Sequence, residues 1–134
     1  MPIFNPILAD NKYPVESYAM IPLEMLSLED NDFSVLTLRA VVLYSLLFSR
    51  AMLSLKKKKY NKDGEVYVFY SQREIRKRLR CSITTSVAIL KELENFGLIS
   101  RLKLGCGKND IIFVKDYKNR DYVLPKQLKD RNST

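Results

Sequence analysis

The sequence predicts a small α+β domain, with three core helices, a short β-sheet and a β-hairpin, and three observations predict it. A segment from Ser34 to about Leu55 is apolar around most of a helix circumference. A strand-like run, Val66-Tyr-Val-Phe-Tyr70, is followed at once by two helical segments separated by about three residues. Behind them, Leu98 to Leu104 and Ile111 to Val114 flank the turn Gly105-Cys-Gly-Lys108, the pattern of a hairpin. The chain has 134 residues, 46% of them hydrophobic, which fits one domain. A domain of that size buries roughly two-thirds of the surface its unfolded chain exposes, so neither a metal nor a disulfide is needed to hold it.

Residues 1–17, with Pro2, Pro6 and Pro14, read as an N-terminal arm without regular structure. Tyr18-Ala-Met-Ile-Pro22 reads as a short edge strand, because proline confines it to an edge or a strand end. The first helix opens at Ser34 and carries Leu36, Leu38, Ala40, Val41, Val42, Leu43, Leu46, Leu47 and Phe48. A helix apolar on nearly every side is either central to the core or shared with a second subunit. A central helix with an added dimer contact is the expectation. Lys62-Asp-Gly-Glu65 marks a turn before the Val66–Tyr70 strand.

Ser71 with Glu74 forms a capping-box pattern, in which each residue satisfies the other's free amide. The helix behind it buries Ile75 and Leu79 and turns Arg73, Arg76, Lys77 and Arg80 outward. Ser82 caps the next helix, which stops at Gly97, the residue best suited to a left-handed position after a helix. Within that helix Ser86, Ile89, Leu90 and Leu93 form the inner stripe, and Thr84, Ala88, Lys91 and Asn95 the outer one. The domain is expected over residues 18–117, with 118–134 a tail or a linker to a further domain. Strand, short helix, tight turn, second helix and two-stranded ribbon follow in the order of a winged helix-turn-helix.

Charge is unevenly placed. Residues 1–55 carry 3 basic and 6 acidic side chains, residues 56–80 carry 10 and 3, and the remainder carry 10 and 6. Positive charge concentrated in this way is the footprint of a polyanion. The expected site for double-stranded DNA is the outer stripe and its flanks. Ser82, Thr84, Thr85, Ala88 and Lys91 would face base edges, where short hydroxyls suit either base pair and a small alanine allows close approach. Lys77, Arg78 and Arg80 before the helix, and Arg101, Lys103 and Lys108 on the wing, would hold phosphates. Arg73 and Arg76 read as plain helix surface and stay outside the expected site. Lys56–Lys59 reads as a solvated loop or as a further contact.

Catalysis is not expected. The chain has no histidine, the commonest general base and metal ligand. It also lacks a glycine-rich phosphate loop and a clustered carboxylate pair. Cys81 and Cys106 have no metal-ligand spacing, so they read as two thiols or one disulfide, with no metal and no cofactor. No secretory leader is evident at the N-terminus, and no apolar run approaches the roughly 18 residues of a membrane span. A cytoplasmic protein without membrane contact is expected.

The stretch Leu90-Lys-Glu-Leu-Glu-Asn-Phe-Gly-Leu-Ile99 resembles the junction of recognition helix and wing in many winged-helix proteins. A longer pattern is more specific. Ile21-Pro22, Leu43-Tyr44-Ser-Leu-Leu47, Arg50, Leu53-Ser-Leu55, Asp63-Gly64-Glu-Val-Tyr67, Phe69-Tyr70-Ser71 and Cys81-Ser82 resemble the N-terminal domain of RepA_N-type plasmid replication initiators. The resemblance covers Tyr18 to about Tyr117, with departures at Ser49 and Lys57–Lys59. It implies a homodimer that binds repeated origin elements (iterons) to start plasmid replication in a Gram-positive host of low GC content. It also implies a C-terminal domain for host replication proteins, for which this chain is too short, so a fragment of a longer initiator is expected. Two other readings keep the fold: a transcriptional repressor on a promoter operator, and a winged helix that binds protein.

Overall fold

The computed structural model describes residues 1–27, 32–105 and 107–118. Cys106 and the expected tail from 119 onward lie outside them. The central helix α1 spans Leu38–Lys56, and its N-cap Thr37 accepts the Ala40 N–H through its hydroxyl oxygen. It begins four residues later than the apolar pattern predicts, because a separate turn of 3-10 helix, Asp32–Val35, precedes it and buries Phe33 against Phe96. The start is fixed from a distance: the Glu92 carboxylate accepts from the Thr37 N–H at 2.7 Å and from its hydroxyl at 2.9 Å.

α1 is the middle of the core, as its apolar circumference requires. Ala40, Leu43, Tyr44 and Leu47 are completely buried. The Tyr44 hydroxyl donates to the Lys115 carbonyl, and burial pushes its phenol well above the ordinary tyrosine value. Tyr117 packs edge-on against Tyr44 and Phe48 and closes that end. At 19 residues α1 is long and apolar enough, by length and composition, to cross a membrane, although polar residues interrupt its apolar run. Its burial against β1, α2 and α3 gives it the place of a core helix.

Strand β1 (Tyr67–Phe69) pairs antiparallel with β3 (Ile111–Val114), which pairs in turn with β2 (Ile99–Leu102), giving the sheet order β1-β3-β2. Val68, Ile99 and Ile112 face the core, in keeping with the period-two alternation of strands. The edge strand expected at Tyr18–Pro22 does not form. The chain there leaves a 3-10 turn at Val15–Ser17 and enters another at Leu23–Leu26, and residues 15–20 lie along a groove beside α1. Pro22 serves as the N-cap of the second turn, a position that needs no N–H from it.

α2 (Gln72–Leu79) starts at Ser71 with the full capping box, and Ile75 anchors it in the core. Arg50 of α1 ties it down from behind: its guanidinium lies 3.0 Å from the Glu74 carboxylate, donates to the Phe69 carbonyl, and stacks over the Tyr70 ring. Three residues, Arg80 to Ser82, connect α2 to α3 (Ile83–Phe96). Gly97 ends α3 at φ +97°, donating its N–H to the carbonyls of Leu93 and Glu94. The result is the expected winged helix-turn-helix.

Candidate nucleic-acid interface

The inner stripe of α3 is the expected one. Ser86, Ile89, Leu90 and Leu93 are its buried residues, and the buried Ser86 hydroxyl donates to the Gln72 side chain of α2 at 2.7 Å. That packing turns Thr84, Ala88, Lys91 and Asn95 outward, and all four are exposed. At the helix start, the Ser82 hydroxyl accepts the Thr85 N–H and lies 3.1 Å from the Thr85 hydroxyl. Ser82 therefore caps the helix through the Thr85 amide, whereas Thr84 is exposed and its hydroxyl bonds no described residue.

Arg73, Arg76, Lys77, Arg80, Cys81 and Ser82 line an open hollow between α2 and the N-terminus of α3. Lys77, Arg80 and Ser82 were expected here; Arg73 and Arg76 were not. The pattern that places them is present in the sequence, since positions 73, 76, 77 and 80 fall at i, i+3, i+4 and i+7 and share one helix face. Arg80 adopts φ +52°, a left-handed conformation that costs a residue other than glycine about 1 kcal/mol. Its charge is thereby set at the hinge between the two helices. Cys81 is a free, half-buried thiol in the same hollow.

Carboxylates decide the sign of this surface. Residues 72–96 contain three, and each is engaged inside the domain. Glu74 pairs with Arg50, Glu92 holds the start of α1, and Glu94 accepts from Arg101 at 3.0 Å. The hydrogen bond from Arg101 holds the Glu94 carboxyl below the ordinary glutamate value. By contrast, Arg73, Arg76, Lys77, Arg80 and Lys91 form no ion pair with any described residue. What the α2–α3 face offers a ligand is uncompensated positive charge.

Two expected phosphate ligands belong elsewhere. Arg78 lies on the opposite side of α2, where it lines the groove with Val15–Met20, Tyr70 and the last turns of α1. Arg101 does not stand free on the wing: its side chain is only 12% exposed and its guanidinium reaches Glu94 and Asp110. Lys103 and Lys108 are exposed, as expected of wing cations. Gly105 and Gly107 both take positive φ, which turns the chain sharply at the wing tip. Lys56–Lys59 sits at the end of α1, with all four lysines exposed and Lys56 bordering the groove of Arg78. Among the described residues no cluster of metal-ligating side chains occurs.

No curated protein matches the chain. Several solved structures do. One described as the N-terminal domain of a DNA binding protein is 22% identical with a TM-score of 0.60, covering 92% of this chain and 94% of that one. One described as a Rep–DNA complex is 25% identical with a TM-score of 0.60, covering 92% and 98%. A third, described as an MDR initiator, is 18% identical with a TM-score of 0.59, covering 92% and 97%. The family described as the replication initiator protein A (RepA) N-terminus matches residues 17–126. The chain belongs to that family, RepA_N.

Proposed function

We propose that the chain is the DNA-binding domain of a plasmid replication initiator and binds repeated elements of a replication origin as duplex DNA. α3 enters the major groove, with Thr84 and Lys91 reading base edges and Ala88 allowing close approach. Arg73, Arg76, Lys77 and Arg80 hold the flanking phosphates, and Lys103 and Lys108 reach the backbone from the wing. The observation that carries this reading is the α2–α3 face, where five cations stand exposed while all three nearby carboxylates are engaged inside the domain. Family membership and the likeness to a chain described in complex with DNA support the same conclusion.

A homodimer belongs to the reading. α1 leaves Leu38, Met52 and Leu55 exposed on a helix otherwise built for burial, and the arm exposes Ile3, Phe4 and Ile7. Sedimentation of the free and DNA-bound protein reports that state.

The test is fluorescence anisotropy on a duplex carrying the origin repeat of the encoding plasmid, beside a scrambled duplex. The wild type is expected to prefer the repeat, with a log–log salt slope near about −5 if six cations reach phosphates. Ala88→Glu with Lys91→Glu removes the preference while thermal melting stays unchanged. Equal affinity for both duplexes, or binding indifferent to salt, contradicts the proposal.

A further inference from the structure

We infer that Arg101 is a positioning residue for duplex binding, one that locks the wing at a set distance from α3 so that Lys103 and Lys108 meet the same duplex as the helix. The inference rests on the function proposed above. Arg101 lies on β2 opposite Ile112 of β3, so it sits at the root of the wing and not at its tip. One guanidinium nitrogen lies 3.0 Å from Glu94, in the last turn of α3, and the other 3.9 Å from Asp110, just before β3. A single side chain thus joins the recognition helix to both legs of the hairpin. Its planar fork can reach in two directions at once, which a lysine cannot do. The Nε–H is buried without a partner among the described residues, a desolvation cost that the two carboxylates must outweigh. Lys91 of α3 and Lys103 of the wing both favour the charged form of Glu94, after the hydrogen bond from Arg101.

Charge and position make opposite forecasts for Glu94→Gln. A carboxylate beside a DNA-binding helix repels phosphate, so its removal should tighten binding if Arg101 is merely one more cation. If Arg101 acts through Glu94, its removal frees the wing. The expected result is binding weakened about tenfold at 0.1 M salt, with the salt slope shallower by about 2 as two wing contacts are lost. Lys103→Ala with Lys108→Ala should then cost much less in the Glu94→Gln background than in the wild type. Arg101→Lys should behave like Glu94→Gln. Tighter binding by Glu94→Gln, or additive effects of the wing lysines, overturns the inference. Should Glu94→Gln melt early, Asp110→Asn supplies the same comparison from the other leg. Amide exchange needs no DNA: faster exchange over residues 103–110 in Glu94→Gln is expected, and unchanged exchange overturns the inference. A wild type without duplex affinity would instead defeat the proposed function and leave the exchange result to decide the clamp.

Discussion

On one face of α2, Arg73, Arg76, Lys77 and Arg80 stand toward solvent with no ion pair among the described residues. On the other, Arg78 lines a groove with Tyr70 and with an Arg50 already clamped by Glu74. The second face has a phenol stacked under the Arg50 guanidinium; burial keeps that phenol above its ordinary value despite both arginines. Both faces contain the same residue types on a helix of 8 residues. What separates them is their surroundings: Arg78 borders the groove of Val15–Met20 and α1, whereas the other four cations line the open hollow before α3. A cation becomes available to a polyanion only when the fold spends its acidic neighbours elsewhere, and here Glu74, Glu92 and Glu94 are all used as internal fasteners.

The contrast can be broken or sharpened by substitution. Ile75→Ala should have the largest effect, because the side chain that seats both faces is completely buried. A loss of about 2–5 kcal/mol is expected in denaturant unfolding, abolishing the distinction between the faces altogether. Arg76→Glu with Arg80→Glu should keep the fold and lower duplex affinity at least about 50-fold at 0.1 M salt, from two lost phosphate contacts plus repulsion. Unchanged affinity in a gel shift would return these cations to plain helix surface.

Arg80→Gly separates function from stability more finely. Glycine relieves the left-handed backbone, so the melting temperature should hold or rise, while affinity falls about eightfold at 0.1 M salt through one lost contact. A fall in stability together with affinity would mean that Arg80 is held for structural reasons. Arg78→Ala should matter least, changing duplex affinity less than about twofold, within what a screened distant charge contributes. A loss comparable to that of Arg80→Gly would put both faces on DNA.

Local chemistry was the readable part of the sequence. The Ser71–Glu74 capping box, the Ser82 cap, the Gly97 stop and the inner stripe of α3 each depend on residues within a few positions of one another. Long-range contacts were not readable. The start of α1 is set by Glu92, 55 positions away, and the burial of Arg101 by Glu94 and Asp110, which reach it only after the sheet has formed. For the same reason Tyr18–Pro22 resembles a strand until the groove beside α1 takes the neighbouring chain. Arg73 and Arg76, read as plain helix surface, differ from these, because their helical spacing with Lys77 and Arg80 is a local signal that places them on the same face. What the pattern could not supply was the engagement of Glu74 by Arg50, without which the face would carry an opposing charge.

The most direct measurement is an NMR titration of the protein with the origin-repeat duplex, followed on assigned backbone and arginine side-chain resonances. Large shifts are expected for residues 73–77, 80–91 and 103–108, with the groove of Val15–Met20, Met52 and Arg78 silent. Shifts confined to that groove, with the helix-turn-helix face unmoved at saturating duplex, would contradict the account.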